Sequence, residues 1–196
     1  MTEQTQKKYE LLKDDTVNHR GRTLYRIKAL ITFSSVAAGE LGGYIETEKN
    51  LDHRGNAWVY DNARVYDNAR VYGDALVCSN AEVCDNAEVY DNARVYGNAL
   101  VYGNAWVYGN AWVYGNARVR SFAVISERKM IFCASNVGPK NGTLTVFNGK
   151  YGLIVTRGCF TGTVDEFLSK SKEVHDDKTH HEYKLLIEVA QSRILN

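Results

Sequence analysis

Alanine stands at positions 57, 63, 69, 75, 81, 87, 93, 99, 105, 111, 117 and 123, and valine follows two places later at each from 59 to 119, with Ile125 closing the series. An apolar pair therefore recurs every six residues without a slip. A helix cannot gather that period on one face, whereas an extended Ala-x-Val triplet points Ala and Val one way and the residue between them the other. The pattern predicts a run of very short strands separated by corners. Most corners read Asp-Asn or Gly-Asn, and Asn and Gly accept positive φ, so the chain bends there at low steric cost. Asn62, Asn68, Asn80, Asn86, Asn92, Asn98, Asn104, Asn110 and Asn116 would stack in columns, with Asp74 once in their place. Stacked amides can hydrogen-bond from coil to coil. A repeat of this kind reads as a parallel β-helix, in which each unit buries its apolar face against its neighbours.

Alanine four places after valine, with Gly or Asp at the corner, resembles the hexapeptide-repeat left-handed β-helix family. The resemblance implies a prism of three strands per coil and a left-handed path, against the usual right-handed crossover. Run backward, the register places Leu51 and Ile45 at alanine positions. The expected fold is mainly β: a left-handed parallel β-helix over residues 45–128, an N-terminal β cap (1–44) and a small C-terminal α+β domain with two helices (129–196). Four to five coils make a prism about 22 Å long at ~4.8 Å per strand layer.

Residues 18 apart then share a face. The first face carries Trp58, Leu76, Arg94 and Trp112; the second Arg64, Glu82, Leu100 and Arg118; the third Arg70, Glu88, Trp106 and Val124. The residue after Val is usually Tyr, which gives edge columns of Tyr60, Cys78, Tyr96 and Tyr114, of Tyr66, Cys84, Tyr102 and Arg120, and of Tyr72, Tyr90 and Tyr108. Stacked Tyr rings stabilise a solenoid simply by covering successive layers. Trp58, Trp106 and Trp112, with Leu76 and Leu100, are too apolar to face water alone, and Tyr, Trp and Arg are the residues of binding hot spots. The chain's own ends, or further copies in a homo-oligomer, compete for that surface.

A solenoid needs capped ends. "KKYELL" and "RTLYRIKALITF" around "NHRGR" predict a hairpin before the first coil. After residue 126, "GTLTVF" and "YGLIVTR" flank Asn148-Gly149 and Lys150, a hairpin signal. Thr163 to Glu166 reads as a capping box opening a helix with Val164, Phe167, Leu168 and Val174 on one side. Thr179 to Glu182 repeats the device before the stripe of Tyr183, Leu186, Ile187, Ala190 and Ile194.

Composition narrows the function classes. A net charge of +1 over 196 residues predicts no general attraction to nucleic acid or an anionic membrane. The opening "MTEQTQKKYELLKDD" has no apolar core of signal-peptide length, and no segment approaches the ~18 apolar residues of a spanning helix. The expected setting is the cytoplasm. Cys78, Cys84, Cys133 and Cys159 have neither CxxC spacing nor nearby His, so free thiols are expected. Many hexapeptide-repeat proteins are acyltransferases with a coil-borne His as base. Here no His lies between His53 and His175, and the repeat has no insertion from 57 to 125, which argues against acyl transfer. A metal set of three His on the coils is equally missing. His175, Asp176, His180 and His181 read as a polar loop rather than a metal site, and no P-loop is present. Acids gather at 82 to 91 between basic ends, a local acidic patch able to meet a basic groove.

"TRGCFTGTVDEFLSKSKEVH" through "EYKLLIEVAQSRI", with "LYRIKAL" and "GELGGYIE" near the start, is similar to a family of bacteriophage and prophage accessory proteins with "YGNA" repeats. That resemblance brings no catalytic residues. It implies a non-catalytic protein of the bacterial host cytoplasm, without cofactor or metal, that inhibits a host defence protein such as a CRISPR effector or another immune nuclease stoichiometrically. The expected contact residues are Trp58, Glu82, Glu88, Arg94, Trp106, Tyr108, Trp112 and Tyr114. A nucleotide-signal sponge assembled as an oligomer, and a structural component of the virion, are the alternatives.

Overall fold

The computed structural model describes residues 6–196; the first five residues of the expected cap lie outside them. The cap begins with the long hairpin of β1 (Tyr9–His19) and β2 (Arg22–Ala29), turned at Arg20 and Gly21 with φ of 52° and 80°. Two consecutive left-handed residues match the twist of the flanking strands. β2 pairs antiparallel with β3 (Leu41–Ile45), and β3 pairs parallel with Arg64–Val65, so the hairpin extends the sheet of the second face.

Twelve two-residue strands follow, from β4 (Trp58–Val59) to β15 (Val124–Ile125), one for each x-Val or x-Ile pair. They assemble into three parallel sheets in which residues 18 apart are partners, such as Arg94 with Trp112 and Trp106 with Glu88. All three expected faces form as read from the sequence. The alanines and valines of the repeat are at most 1% exposed and make one continuous core. Asn68, Asn86 and Asn104 bond in series at 3.2 Å, as do Asn80, Asn98 and Asn116.

The first coil departs from the expected register. Ile45 pairs with Val65 and Leu51 bridges Val71, so both stand at valine positions, not alanine ones. The corner Asp52 to Asn56 has five residues between its flanking core residues, against three at a repeat corner such as Tyr60 to Asn62. That extra length resets the phase, and periodicity alone cannot register it. The left-handed residue of each corner is also the one before Asn: Asp61, Asp67, Asp85 and Asp91, or Gly97, Gly103 and Gly109, have φ between 54° and 75°. Asp is accommodated because its short carboxylate accepts the backbone N–H one coil on, from Ser79 to Asp61 and from Gly103 to Asp85 at 3.0 Å.

The C-terminal unit is an antiparallel sheet of β16 (Ile131–Val137), β17 (Gly142–Gly149), β18 (Gly152–Arg157) and β19 (Phe160–Thr163), packed on α1 (Val164–Val174) and α2 (Asp177–Leu195). The hairpin turn is Lys150–Tyr151; Asn148 and Gly149 remain in the ladder opposite Leu153 and Gly152. The capping box at Thr163 and Glu166 forms, but Val174 is exposed, and Phe167 and Ser171 are the buried residues of α1. The second box does not form. Asp176 caps α2 by accepting from Thr179 N at 2.8 Å, which starts the helix earlier, and Glu182 instead accepts from Gly138 N. Tyr183, Ile187, Ala190 and Ile194 are buried as the stripe predicts.

Both units close the prism. At the N-terminal end Tyr9 and Phe33 lie edge-on against Trp58, and Asn50 Nδ2 donates to the carbonyls of Asp67 and Ala69. At the other end Phe147 joins the solenoid core, Thr156 Oγ1 donates to Arg118 O at 2.7 Å, and Asn148 Nδ2 donates to Val124 O at 3.0 Å.

Candidate partner-binding surface

The expected contact residues separate into three environments. Trp58 is removed from the surface altogether: it is 0% exposed beneath Tyr9 and Phe33. The first coil needs an apolar lid where no earlier coil covers it, and the hairpin provides that lid. Glu82 is likewise engaged within the chain, its carboxylate meeting His19, Arg20 and Arg64 at 3.2 to 3.4 Å. The hairpin tip reaches that far because Leu24 packs with Tyr66 and Cys84 along the second edge. The acidic stretch at 82 to 91 is therefore not a free patch. Asp85 and Asp91 hold the N–H groups of Gly103 and Gly109, and Glu88 accepts from Tyr72 Oη at 2.7 Å.

On the first face, the Arg128 guanidinium lies 3.4 Å from the Trp112 ring centroid and Arg94 lies 5.9 Å away, so Trp112 is half-covered. Tyr114 beside it stacks on Tyr96 at 5.5 Å and is 49% exposed. Glu88 and Trp106 pair on the third face, and Tyr108 stands on the edge that follows it. Tyr72, Tyr90 and Tyr108 stack along one edge with centroids 4.8 and 5.0 Å apart.

Trp106 is 50% exposed in a groove of about 440 Å³ lined by Asn86, Glu88, Asn104, Phe122, Val124 and Lys150. Phe122 occupies the column of Asn86 and Asn104 and is also 50% exposed. Tyr151, on the β17–β18 turn, meets Phe122 edge-on at 6.2 Å and is 81% exposed. Lys150 N donates to Phe122 O, which fixes this turn to the last coil. Three apolar rings thus continue from the solenoid onto the C-terminal unit, a contiguous patch of the kind that marks an interaction site.

Sequence reasoning missed Phe122, Val124, Lys150 and Tyr151. Phe122 was detectable: "RSFAV" puts an aromatic where nearly every other corner has Asn. Tyr151 was not, because only tertiary docking of the hairpin brings it to Phe122.

Among the described residues, the metal-ligand side chains that converge within 4.8 Å are Asp67, Cys84 and Asp85, not the group from His175 to His181. Arg22 already pairs with Asp67, and burial pushes the Cys84 thiol up to about 11. His180 Nδ1 lies 3.2 Å from Ser171 Oγ within the helical pair. The four cysteines are free.

The model of the YdcK β-solenoid repeat matches residues 63–79, 87–103 and 93–109. This chain is a β-solenoid repeat protein. Its matched repeats carry Glu88 and Trp106, while Phe122, Lys150 and Tyr151 lie beyond them. No curated protein matches the chain, and no helix is long and apolar enough to cross a membrane.

Proposed function

We propose that this β-solenoid is a non-catalytic scaffold that binds a protein partner on its third face, through the groove between Trp106 and Phe122 and the neighbouring Tyr151. The exposed run of these three rings carries the reading. A rigid ladder presents them with little ordering cost, and large aromatic anchors beside a pocket are what hot spots consist of.

The ionisable groups support a binding role over catalysis. His53 Nδ1 accepts the backbone N–H of Lys8, and His19 Nε2 meets the Glu82 carboxylate at 3.3 Å, so both rings are engaged in holding the N-terminal cap. Burial holds the Cys84 and Cys133 thiols up to about 11, far from a reactive thiolate. The finer reading is a left-handed hexapeptide prism of phage origin, acting in the bacterial cytoplasm as a stoichiometric inhibitor of a host defence protein. It draws on the sequence resemblances and on the exposed aromatic run.

Affinity capture of the tagged chain from a bacterial lysate, beside Trp106→Ala and Phe122→Ala variants, with mass spectrometry of retained proteins and small molecules, tests this. A single stoichiometric protein lost from both variants is the expected result. A retained nucleotide without protein would favour a sponge, and equal recovery by all three chains would move the site off the third face.

A further inference from the structure

Charge is segregated along the chain although the total is nearly zero. Residues 40–93 contain eleven Asp and Glu against four Lys and Arg, whereas residues 94–164 contain eight Lys and Arg against Glu127 alone. The two halves also differ in how those charges are satisfied. Every one of the eleven acids accepts a hydrogen bond or forms an ion pair within the chain. Among the described residues, none of the eight cations pairs with an Asp or Glu side chain. Several rest on rings instead: Arg94 and Arg128 on Trp112, Arg120 on Tyr102, and Lys150 on Tyr151 at 5.3 Å. Arg118 is exposed beside Arg157 in a cleft between the last coil and the C-terminal sheet.

From this asymmetry we infer that the partner of the third face is an acidic protein surface, one that sets an apolar side chain between Trp106 and Phe122 and its carboxylates against Lys150 and Arg120. The inference rests on the binding role proposed above and names the chemistry of the partner. Lys150 in the groove and Arg120, two residues before Phe122 at the same corner, have no carboxylate partner within the described residues, which leaves their charge open to a docking partner. A second copy of the chain is a poor fit, because its acidic half is already hydrogen-bonded internally. Nucleic acid fits less well too, because the eight cations are spread over three faces rather than along one track that could follow a phosphate backbone.

Fluorescence anisotropy with the full chain and a labelled random copolymer of glutamate and tyrosine tests this, with polyglutamate, polylysine and oligothymidylate as comparators. The copolymer should bind more tightly than polyglutamate, and polylysine should not bind. Affinity should fall by about tenfold between about 50 and about 300 mM salt. Lys150→Glu should weaken binding by about fivefold, and Lys150→Arg should restore it. Trp106→Ala should bring the copolymer down to the level of polyglutamate. If capture of the cellular partner is lost in Trp106→Ala but indifferent to salt and to Lys150→Glu, the groove stands and the acidic partner is overturned. Tighter binding of oligothymidylate overturns it in favour of nucleic acid. A concentration-dependent doubling of mass that Lys150→Glu abolishes overturns it in favour of a second copy.

Discussion

The ammonium group of Lys8 donates to the carbonyl of Ala57 at 2.9 Å and to that of Gly55 at 3.3 Å, from a side chain buried at the open end of the first coil. The first coil has no coil before it to satisfy these carbonyls, and the hairpin brings in a lysine to do so. Removing the donor leaves a buried carbonyl without a partner while relieving the burial of a charge. Lys8→Met should therefore lower the urea unfolding free energy at pH 7 by about 1–2 kcal/mol. An unchanged midpoint would show that the cap does not depend on this contact.

The same lysine shapes the pH dependence. Burial, partly offset by Asp52 and Asp74, draws its pKa down to about 8 from 10.5. Between those values the unfolded chain binds the extra proton, so Lys8 alone makes stability rise with pH. Acids act with the opposite sign. Burial raises the Cys84 and Cys133 thiols to about 11 from 9.0. It also raises the Tyr9, Tyr66 and Tyr72 phenols above 10.0. The unfolded chain loses these protons first, so stability falls as pH passes about 9 and then about 10. Unfolding midpoints from pH 7 to 11 should rise slightly past 8 and drop above about 9, more steeply past about 10, and Lys8→Met should lose only the rise.

Corners should prefer Asp to Ala. Gly103 has φ of 71°, and a Cβ there would lie 2.9 Å from Ser121 N. Asp85 occupies the same column with φ of 57° and accepts Gly103 N. Gly103→Ala should cost about 1–2 kcal/mol from the left-handed backbone, and Gly103→Asp less than half of that because its carboxylate can accept Ser121 N. Thermal melts of the two variants compare them directly.

Two tryptophans should behave in opposite ways. Trp58→Ala opens a cavity under the cap and should cost about 3–5 kcal/mol without touching the groove. Trp106→Ala should change stability by less than about 1 kcal/mol and abolish partner capture. Chemical denaturation and capture on the same preparations separate the two effects.

The repeat was legible because its burial is local and periodic. Ala57 and Val59 onward face inward for the reason any Ala-x-Val strand does, and a coil of fixed length then places Glu88 above Trp106 without further information. The corner before Ala57 was not legible, since its two extra residues look like ordinary polar sequence until Leu51 is seen opposite Val71. Nor was the start of α2: the box at Thr179 predicts that the helix opens there, and Asp176 caps it three residues earlier.

The sequence by itself determined the coils, the three faces and the membership of each column, because neighbours 18 residues apart follow from the period. Only the tertiary structure decided which members of a column meet solvent. Identical layers carry identical signals, so Trp58 and Trp106 cannot be told apart until the ends fold back. The hairpin buries the first and occupies Glu82. The C-terminal sheet leaves Trp106 open and places Lys150 and Tyr151 beside Phe122. Docking of the two caps depends on contacts between segments far apart in the chain, which no periodicity encodes.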